Sequence, residues 1–141
     1  MSQSNAVQTA QEYLSSQAFS LTGLIKQLEF EGFSAADATY GANAVNANWN
    51  EQAAKAANEY LSSQAFSLTG LIKQLEFDGY SAAQAEYGAN AVNADWNSQA
   101  AKAAKEYLNS QSFSASGLIS QLEFDGFTAA QATYGVNAVG L

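Results

Sequence analysis

The sequence contains no cysteine, no histidine, no arginine and no proline. Without cysteine there is no disulfide and no thiolate nucleophile, and without histidine the commonest general base and zinc ligand is missing. The many serines have no base to activate them. The carboxylates do not form the D-x-D-x-D-G loop that holds calcium. These absences predict a protein that is not an enzyme and that binds neither a metal nor another cofactor.

Positive charge is also scarce, since thirteen acidic residues stand against five lysines and give a net charge of −8. The acids are spread along the whole chain. Such a surface repels nucleic acid and anionic lipid headgroups, and it attracts basic protein segments. No stretch approaches the roughly 20 apolar residues of a membrane span. The first residues lack the basic and apolar regions of a signal peptide, so none is visible in this sequence, and removal of one from a longer precursor stays open.

The sequence repeats itself three times with a period of 47 residues. Residues 13–34 read YLSSQAFSLTGLIKQLEFEGFS, and residues 60–81 differ from them only at Asp78 and Tyr80. A more divergent copy occupies residues 107–128. We therefore divide the chain into repeats at 1–47, 48–94 and 95–141, a period typical of helical repeat arrays.

Three helices are predicted in each repeat. The first is alanine-rich, begins after a capping residue such as Asn48, and ends near Gln64. We expect it to run from one repeat into the next without a loop. The second begins at Ser20 and ends at Gly32, where a left-handed residue is expected. The third begins at Ser34, giving an all-α fold of tandem helix-turn-helix repeats of about 47 residues joined by rigid linker helices.

Tryptophan and glycine recur at positions that suggest packing. Trp49 and Trp96 occur only between repeats and are interpreted as staples between successive units. Gly23 and Gly41, with their copies, lie inside predicted helices, where each glycine costs about 1 kcal/mol relative to alanine. We attribute both sets to close helix crossings, and contact between a ligand and the bare backbone is the alternative.

The aromatic residues also recur once per repeat. Tyr13, Phe19, Phe33 and Tyr40 bracket the predicted helix ends and turns, and we expect them in the core. Phe30 is different, because it lies between two acids and is expected to be partly exposed. Exposed aromatic rings on an acidic surface suit an amphipathic or basic helix as a partner.

The acids around the predicted turns are the candidate contact residues. They form either a solvated face or a partner-binding face, and side chains at i and i+2 of one helix do not face each other as a catalytic pair would. DNA binding is rejected, because the third helix, SAADATYGANAVN, carries no basic residue. The candidate contact residues are Glu29, Glu31, Asp37, Glu76, Asp78, Glu86, Glu123 and Asp125.

The spaced pattern YL…FS…GLI.QLEF.GFS…A.YG…V…WN.QAAKAA..YL, from about Val7 to Val139, is similar to the repeat of the Ltp family. These are host cell-surface-exposed lipoproteins of Gram-positive bacteria and their prophages. The resemblance implies paired helix-turn-helix units on a rigid linker helix and a place on the extracellular face of the cell membrane. Members are held there by a lipid anchor on a lipobox cysteine, which this sequence does not contain.

The resemblance also implies a function, which is superinfection exclusion. A member carried by a temperate phage blocks DNA injection by an incoming phage, and its proposed target is the tape measure protein. The expected partner is therefore a protein, with a basic helical segment of the tape measure protein as the specific case. Two alternatives stay open: a structural surface scaffold with no phage target, and a nucleic-acid mimic.

Overall fold

The computed structural model describes residues 2–141, which form nine α-helices and no strand. The all-α prediction is confirmed, and each repeat contributes one long helix followed by two short ones. Repeat 1 contains α1 (Ser2–Ser16), α2 (Leu21–Phe30) and α3 (Ala35–Ala44); repeat 2 contains α4 (Trp49–Ser63), α5 (Leu68–Phe77) and α6 (Ala82–Ala91); repeat 3 contains α7 (Trp96–Ser110), α8 (Ala115–Phe124) and α9 (Ala129–Ala138).

Within each repeat the long first helix packs mainly against the third helix, and the second helix also lies against the third. The closest approach is at the third-helix glycine. A Cβ built on Gly88 would lie 2.6 Å from the backbone carbonyl carbon of Ala53, which is too close for any side chain. The predicted small-residue crossing is therefore confirmed for Gly41 and its copies. Each repeat has its own core, centred on two fully buried leucines such as Leu24 and Leu28.

The start of the second helix and the turn between the second and third helices are both as the sequence predicts. The Ser20 hydroxyl accepts a hydrogen bond from the Gly23 amide and caps α2. Gly32 has a φ of +111°, the left-handed conformation expected just past a helix end. The amide of Phe33 then donates to the carbonyl of Leu28, closing the turn, and α3 begins immediately afterwards.

The prediction that one repeat continues into the next without a loop is wrong. Helix α3 ends at Ala44, and residues 45–48 are not helical before α4 begins at Trp49. Asn46 adopts a left-handed φ of 51°, and the Asn48 side chain accepts from the amide of Glu51 to start the next helix. Asparagine stops and restarts the helix here because its short polar side chain tolerates the left-handed conformation and competes for backbone hydrogen bonds.

Contacts across this loop couple the repeats. Trp49 packs against the core of repeat 1, and Trp96 packs against the core of repeat 2, which confirms their role as staples. The Ser20 hydroxyl also donates to the carbonyl of Asp78 at 2.7 Å, and the Phe19 amide donates to Gln52 Oε1 at 3.1 Å.

The second junction repeats this arrangement. Ser67 donates to the carbonyl of Asp125 at 2.7 Å, and the Phe66 amide donates to Gln99 Oε1 at 3.1 Å. Gly23 is thus misassigned to a helix crossing. A Cβ there would meet the capping hydroxyl of Ser20 at 2.8 Å and the carbonyl of Asp78 in the next repeat at 3.6 Å.

Candidate protein-binding surface

A fully exposed phenylalanine ends the second helix of every repeat. Phe30, Phe77 and Phe124 have 85%, 86% and 87% of their surface open to solvent. Burying such a ring would contribute about 1.5–3 kcal/mol, so each repeat forgoes that stabilisation at the same position. The sequence predicted only partial exposure for Phe30. We call these three residues the phenylalanine row.

Glutamates flank the row on its helical side. Glu29, Glu76 and Glu123 immediately precede the three phenylalanines and are exposed. They lie in the last turn of a helix, where the partial negative charge of the helix dipole disfavours an acid by about 0.3–1 kcal/mol. No basic residue occupies that turn in any of the three second helices. A locally unfavourable charge at one position in all three repeats is typical of a functional surface.

Three acids follow the phenylalanines of the row, and each forms a hydrogen bond within its own repeat. They are Glu31, Asp78 and Asp125. Each accepts a hydrogen bond of 2.5 Å from the tyrosine at the end of the first helix of its repeat. In repeats 2 and 3 a glutamine also donates to the aspartate, at 3.2 Å. We did not predict this pairing from the sequence. A signal for it exists, because the tyrosine and the acid are 18 residues apart in every repeat.

The carboxylates and burial raise the pKa values of the partner tyrosines. Burial, followed by the hydrogen bond to Asp78, raises the pKa of Tyr60 to about 12. In repeat 1 the hydrogen bond to Glu31 is the main cause that raises the pKa of Tyr13. Both phenols therefore stay protonated near neutral pH and donate hydrogen bonds to Glu31 and Asp78.

Asp37 and Glu86 lie apart from this arrangement. Asp37 is half-buried in the first turn of α3, where its amide donates to the capping Ser34 hydroxyl and its charge suits the helix dipole. Its copies are Gln84 and Gln131, whose side chains complete capping boxes. Glu86 is exposed on α6, beside a shallow depression. The structure therefore places these two acids outside the repeated surface at the ends of the second helices.

The third helices carry a second set of exposed aromatic rings. Tyr40 is 48% exposed, and its copies Tyr87 and Tyr134 are each 50% exposed. The core assignment of Tyr40 is therefore wrong, because the neighbouring Gly41 packs against Ala6 of the first helix and leaves Tyr40 facing solvent. Tyr13 and Phe19 are half-buried at the edge of the core and contact each other edge to face, with ring centroids 5.7 Å apart.

A cavity lies at each junction between repeats, and the sequence analysis missed both. The first, of about 380 Å³, is formed by the α1–α2 loop of repeat 1, helix α4 and the turn after α5. The second, of about 290 Å³, lies in the equivalent place between repeats 2 and 3. The sequence signal for the cavities is the Glu-Tyr pair near the end of each first helix, since Glu59 and Glu106 line the two cavities.

The remaining chemistry of the surface is limited. Within residues 2–141 no three histidine, cysteine or acidic side chains are grouped as a metal site would require. In the same part of the chain, no helix has the length and apolar character needed to cross a bilayer. The arrangement offers exposed rings, carboxylates and half-open cavities, which can bind another molecule.

Comparison with known proteins identifies the repeat. No curated protein and no solved structure matches the chain significantly. The family model described as host cell surface-exposed lipoprotein matches three times in tandem, at residues 2–45, 48–92 and 95–139. These matches cover nearly the whole chain, and the description names a surface lipoprotein and no enzymatic activity. The chain therefore belongs to the family of host cell surface-exposed lipoproteins.

Proposed function

We propose that this protein is a non-enzymatic binding module of the cell surface that prevents phage DNA injection by capturing a segment of the tape measure protein. The observation that carries the proposal is the phenylalanine row, in which each ring is more than four-fifths exposed and follows an exposed glutamate. Apolar rings rimmed by polar residues are typical of protein-interaction sites.

The chemistry of the row suits a basic amphipathic helix. The apolar face of such a helix would cover the ring of one repeat, and its lysines or arginines would meet the preceding glutamate, which is Glu29, Glu76 or Glu123. The net charge of −8 would also accelerate the encounter with a basic segment. Three equivalent sites on one chain would raise the overall affinity by multivalency without new contacts.

The test is to express the chain with a lipoprotein signal in a phage-sensitive host and to measure adsorption and DNA injection separately. We expect normal adsorption and blocked injection for the parent chain. The triple variant Phe30→Ser, Phe77→Ser, Phe124→Ser should restore injection. Its fold should be unaffected, because the replaced rings contribute little to the core.

A matched control replaces the other exposed aromatic set, with Tyr40→Ser, Tyr87→Ser and Tyr134→Ser in one chain. We expect this variant to keep blocking injection. If the parent chain changes neither adsorption nor injection, the structural-scaffold alternative is favoured. If the tyrosine variant restores injection and the phenylalanine variant does not, the phenylalanine row is the wrong surface.

A further inference from the structure

The two junction cavities share the same chemistry. The six residues that line the second cavity are identical to residues 47 positions earlier that line the first. One of the six comes from the preceding repeat and five from the following repeat, so a complete cavity needs two adjacent repeats. The pairs are Ala18 and Ala65, Ala56 and Ala103, Glu59 and Glu106, Tyr60 and Tyr107, Ser63 and Ser110, and Asp78 and Asp125.

Each cavity is negatively charged. The first contains the acidic side chains of Glu59 and Asp78, and the neutral side chains of Tyr60 and Gln74 donate hydrogen bonds to Asp78. The Tyr60 phenol stays protonated because burial and the hydrogen bond to Asp78 raise its pKa to about 12. None of the described residues lining the cavity is a lysine, and the nearest lysine along α4, Lys55, lies one turn before Glu59.

Aromatic rings form part of the same wall. Phe19 of repeat 1 and Tyr60 of repeat 2 both line the first cavity. A planar cation stacks favourably on such rings, with about 0.5–2 kcal/mol for a cation over an aromatic face. The cavity is also small. A volume near 300–400 Å³ is at the lower end of small-molecule pockets and suits one long side chain.

We propose that each junction cavity binds the guanidinium group of an arginine side chain from a partner protein. The carboxylates of Glu59 and Asp78 would accept its N–H groups, and Phe19 and Tyr60 would lie against its plane and its methylene stem. The identity of the donor as a phage protein rests on the function proposed above, whereas the arginine site itself does not. The second cavity offers the same two carboxylates, from Glu106 and Asp125, with the Tyr107 ring beside them.

Repeat 1 provides an internal contrast. Its first helix carries the same groove residues, Glu12, Tyr13 and Ser16, with Thr9 in place of the alanine. Within residues 2–141, this groove is lined by its own helix and lacks the wall that Ala18 and Phe19 form at the first junction. The proposal therefore assigns full binding to two sites and weak binding to the groove of repeat 1.

The experiment titrates the ¹⁵N-labelled full chain with N-acetyl-arginine-amide and follows amide chemical shifts. We expect saturable shifts for residues 18–23, 59–63 and 78–80, and for their copies at the second junction. N-acetyl-citrulline-amide has nearly the same shape without the charge and should leave these amides unshifted. Equal shifts with both compounds, or shifts that never saturate and follow every exposed acid, would overturn the proposal.

Two variants of equal net charge sharpen the test. Glu59→Gln with Glu106→Gln removes one carboxylate from each cavity and should weaken arginine-amide binding about tenfold, as expected for loss of a charge-assisted hydrogen bond. Glu51→Gln with Glu86→Gln removes the same charge outside the cavities and outside the phenylalanine row, and should leave binding unchanged. If the two double variants weaken binding equally, the cavities are not the site.

The outcomes separate the site from the proposed function. Arginine-amide that fails to bind at the junctions of a chain that still blocks phage DNA injection overturns the arginine site alone. Saturable, charge-dependent binding by a chain that does not block injection supports the arginine site and contradicts the phage role.

Discussion

Equivalent residue positions are buried where two repeats meet and more exposed elsewhere. Tyr80 and Phe127 are 4% and 5% exposed, whereas Phe33 at the equivalent place in repeat 1 is only half-buried. Ser20 and Ser67 are each 3% exposed, whereas Ser114 in repeat 3 is exposed. The difference shows that each junction buries one turn of the following repeat and one helix N-terminus of the preceding repeat.

The glycine in the turn shows the same contrast. A Cβ built on Gly79 would meet the hydroxyl of Thr22 from the preceding repeat, and one built on Gly126 would meet that of Thr69. Nothing lies within 4 Å of such an atom at Gly32. Stability in such arrays is close to a sum of the repeats and their interfaces, so variants at these positions measure the two contributions separately.

The largest effect is expected from disrupting the middle repeat. Gly88→Val would force a branched side chain against the backbone of Ala53 and should cost about 3 kcal/mol or more of unfolding free energy. Gly41→Val should cost less overall, since the loss of repeat 1 breaks one junction instead of two. Urea denaturation measures both.

Ala83→Val is the matched control for the valine substitution, because Ala83 is an exposed residue of the same helix. It should cost no more than the helix-propensity difference, which is below about 1 kcal/mol. A Gly88→Val chain as stable as this control would show that α4 and α6 can separate without loss.

A smaller loss of stability is expected when the hydrogen bond across a junction is removed. Ser67→Ala removes a helix cap and the bond to the carbonyl of Asp125, whereas Ser114→Ala removes a cap and a long contact of 3.5 Å to the Ser116 hydroxyl. Capping contributes about 1 kcal/mol in both, and the junction bond should add about 1 kcal/mol for Ser67. Equal destabilisation of the two variants, by thermal or urea unfolding, would mean that the junction bond contributes no net stability.

The tyrosine–acid pairs of repeats 1 and 2 should respond differently to pH. The pKa of Tyr60 is raised to about 12 from 10.0, mainly by burial, whereas that of Tyr13 is raised mainly by its bond to Glu31. A phenol with a raised folded-state pKa stabilises the fold fully below pH 10, and this contribution is lost as the pH rises through 12. We expect Tyr60 to ionise at higher pH than Tyr13.

Ultraviolet absorbance titrations of Tyr60→Phe and Tyr13→Phe, each subtracted from the parent curve, assign the two ionisations. The stability of the parent chain should fall between pH 10 and 12, and by less in Tyr60→Phe. Ionisation of Tyr60 at or below the pH of Tyr13 would show that repeat 1 does not shield the junction from water.

The smallest effect is expected at the left-handed residue that ends the third helix. Asn46 and Asn93 occupy this position before a further repeat, and Gly140 occupies it in repeat 3 with a φ of +90°. Asn93→Gly should change stability by less than about 0.5 kcal/mol, because easier backbone geometry is offset by a more flexible unfolded chain. Asn93→Ala should cost about 1 kcal/mol, and an equally stable alanine variant would contradict the assigned conformation.

The candidate surface was only partly predictable from the sequence. The sequence shows that the acids around Phe30 recur, but it does not show that they have different roles. Glu29 is free in solvent, whereas Glu31 is bound by Tyr13, a residue 18 positions away that only packing brings close. The junction cavities were missed for the same reason, since their walls come from two repeats.

The sequence alone determined the helices, their caps and the threefold repeat, because these depend on hydrophobic period, capping hydroxyls and glycine within a few residues of each other. It did not determine which copy of a residue is buried. Ser20 and Ser114 sit in the same Phe-Ser motif, yet one is covered by the following repeat and the other faces water. Only the tertiary structure decides this, because burial depends on a neighbouring surface and not on the local sequence.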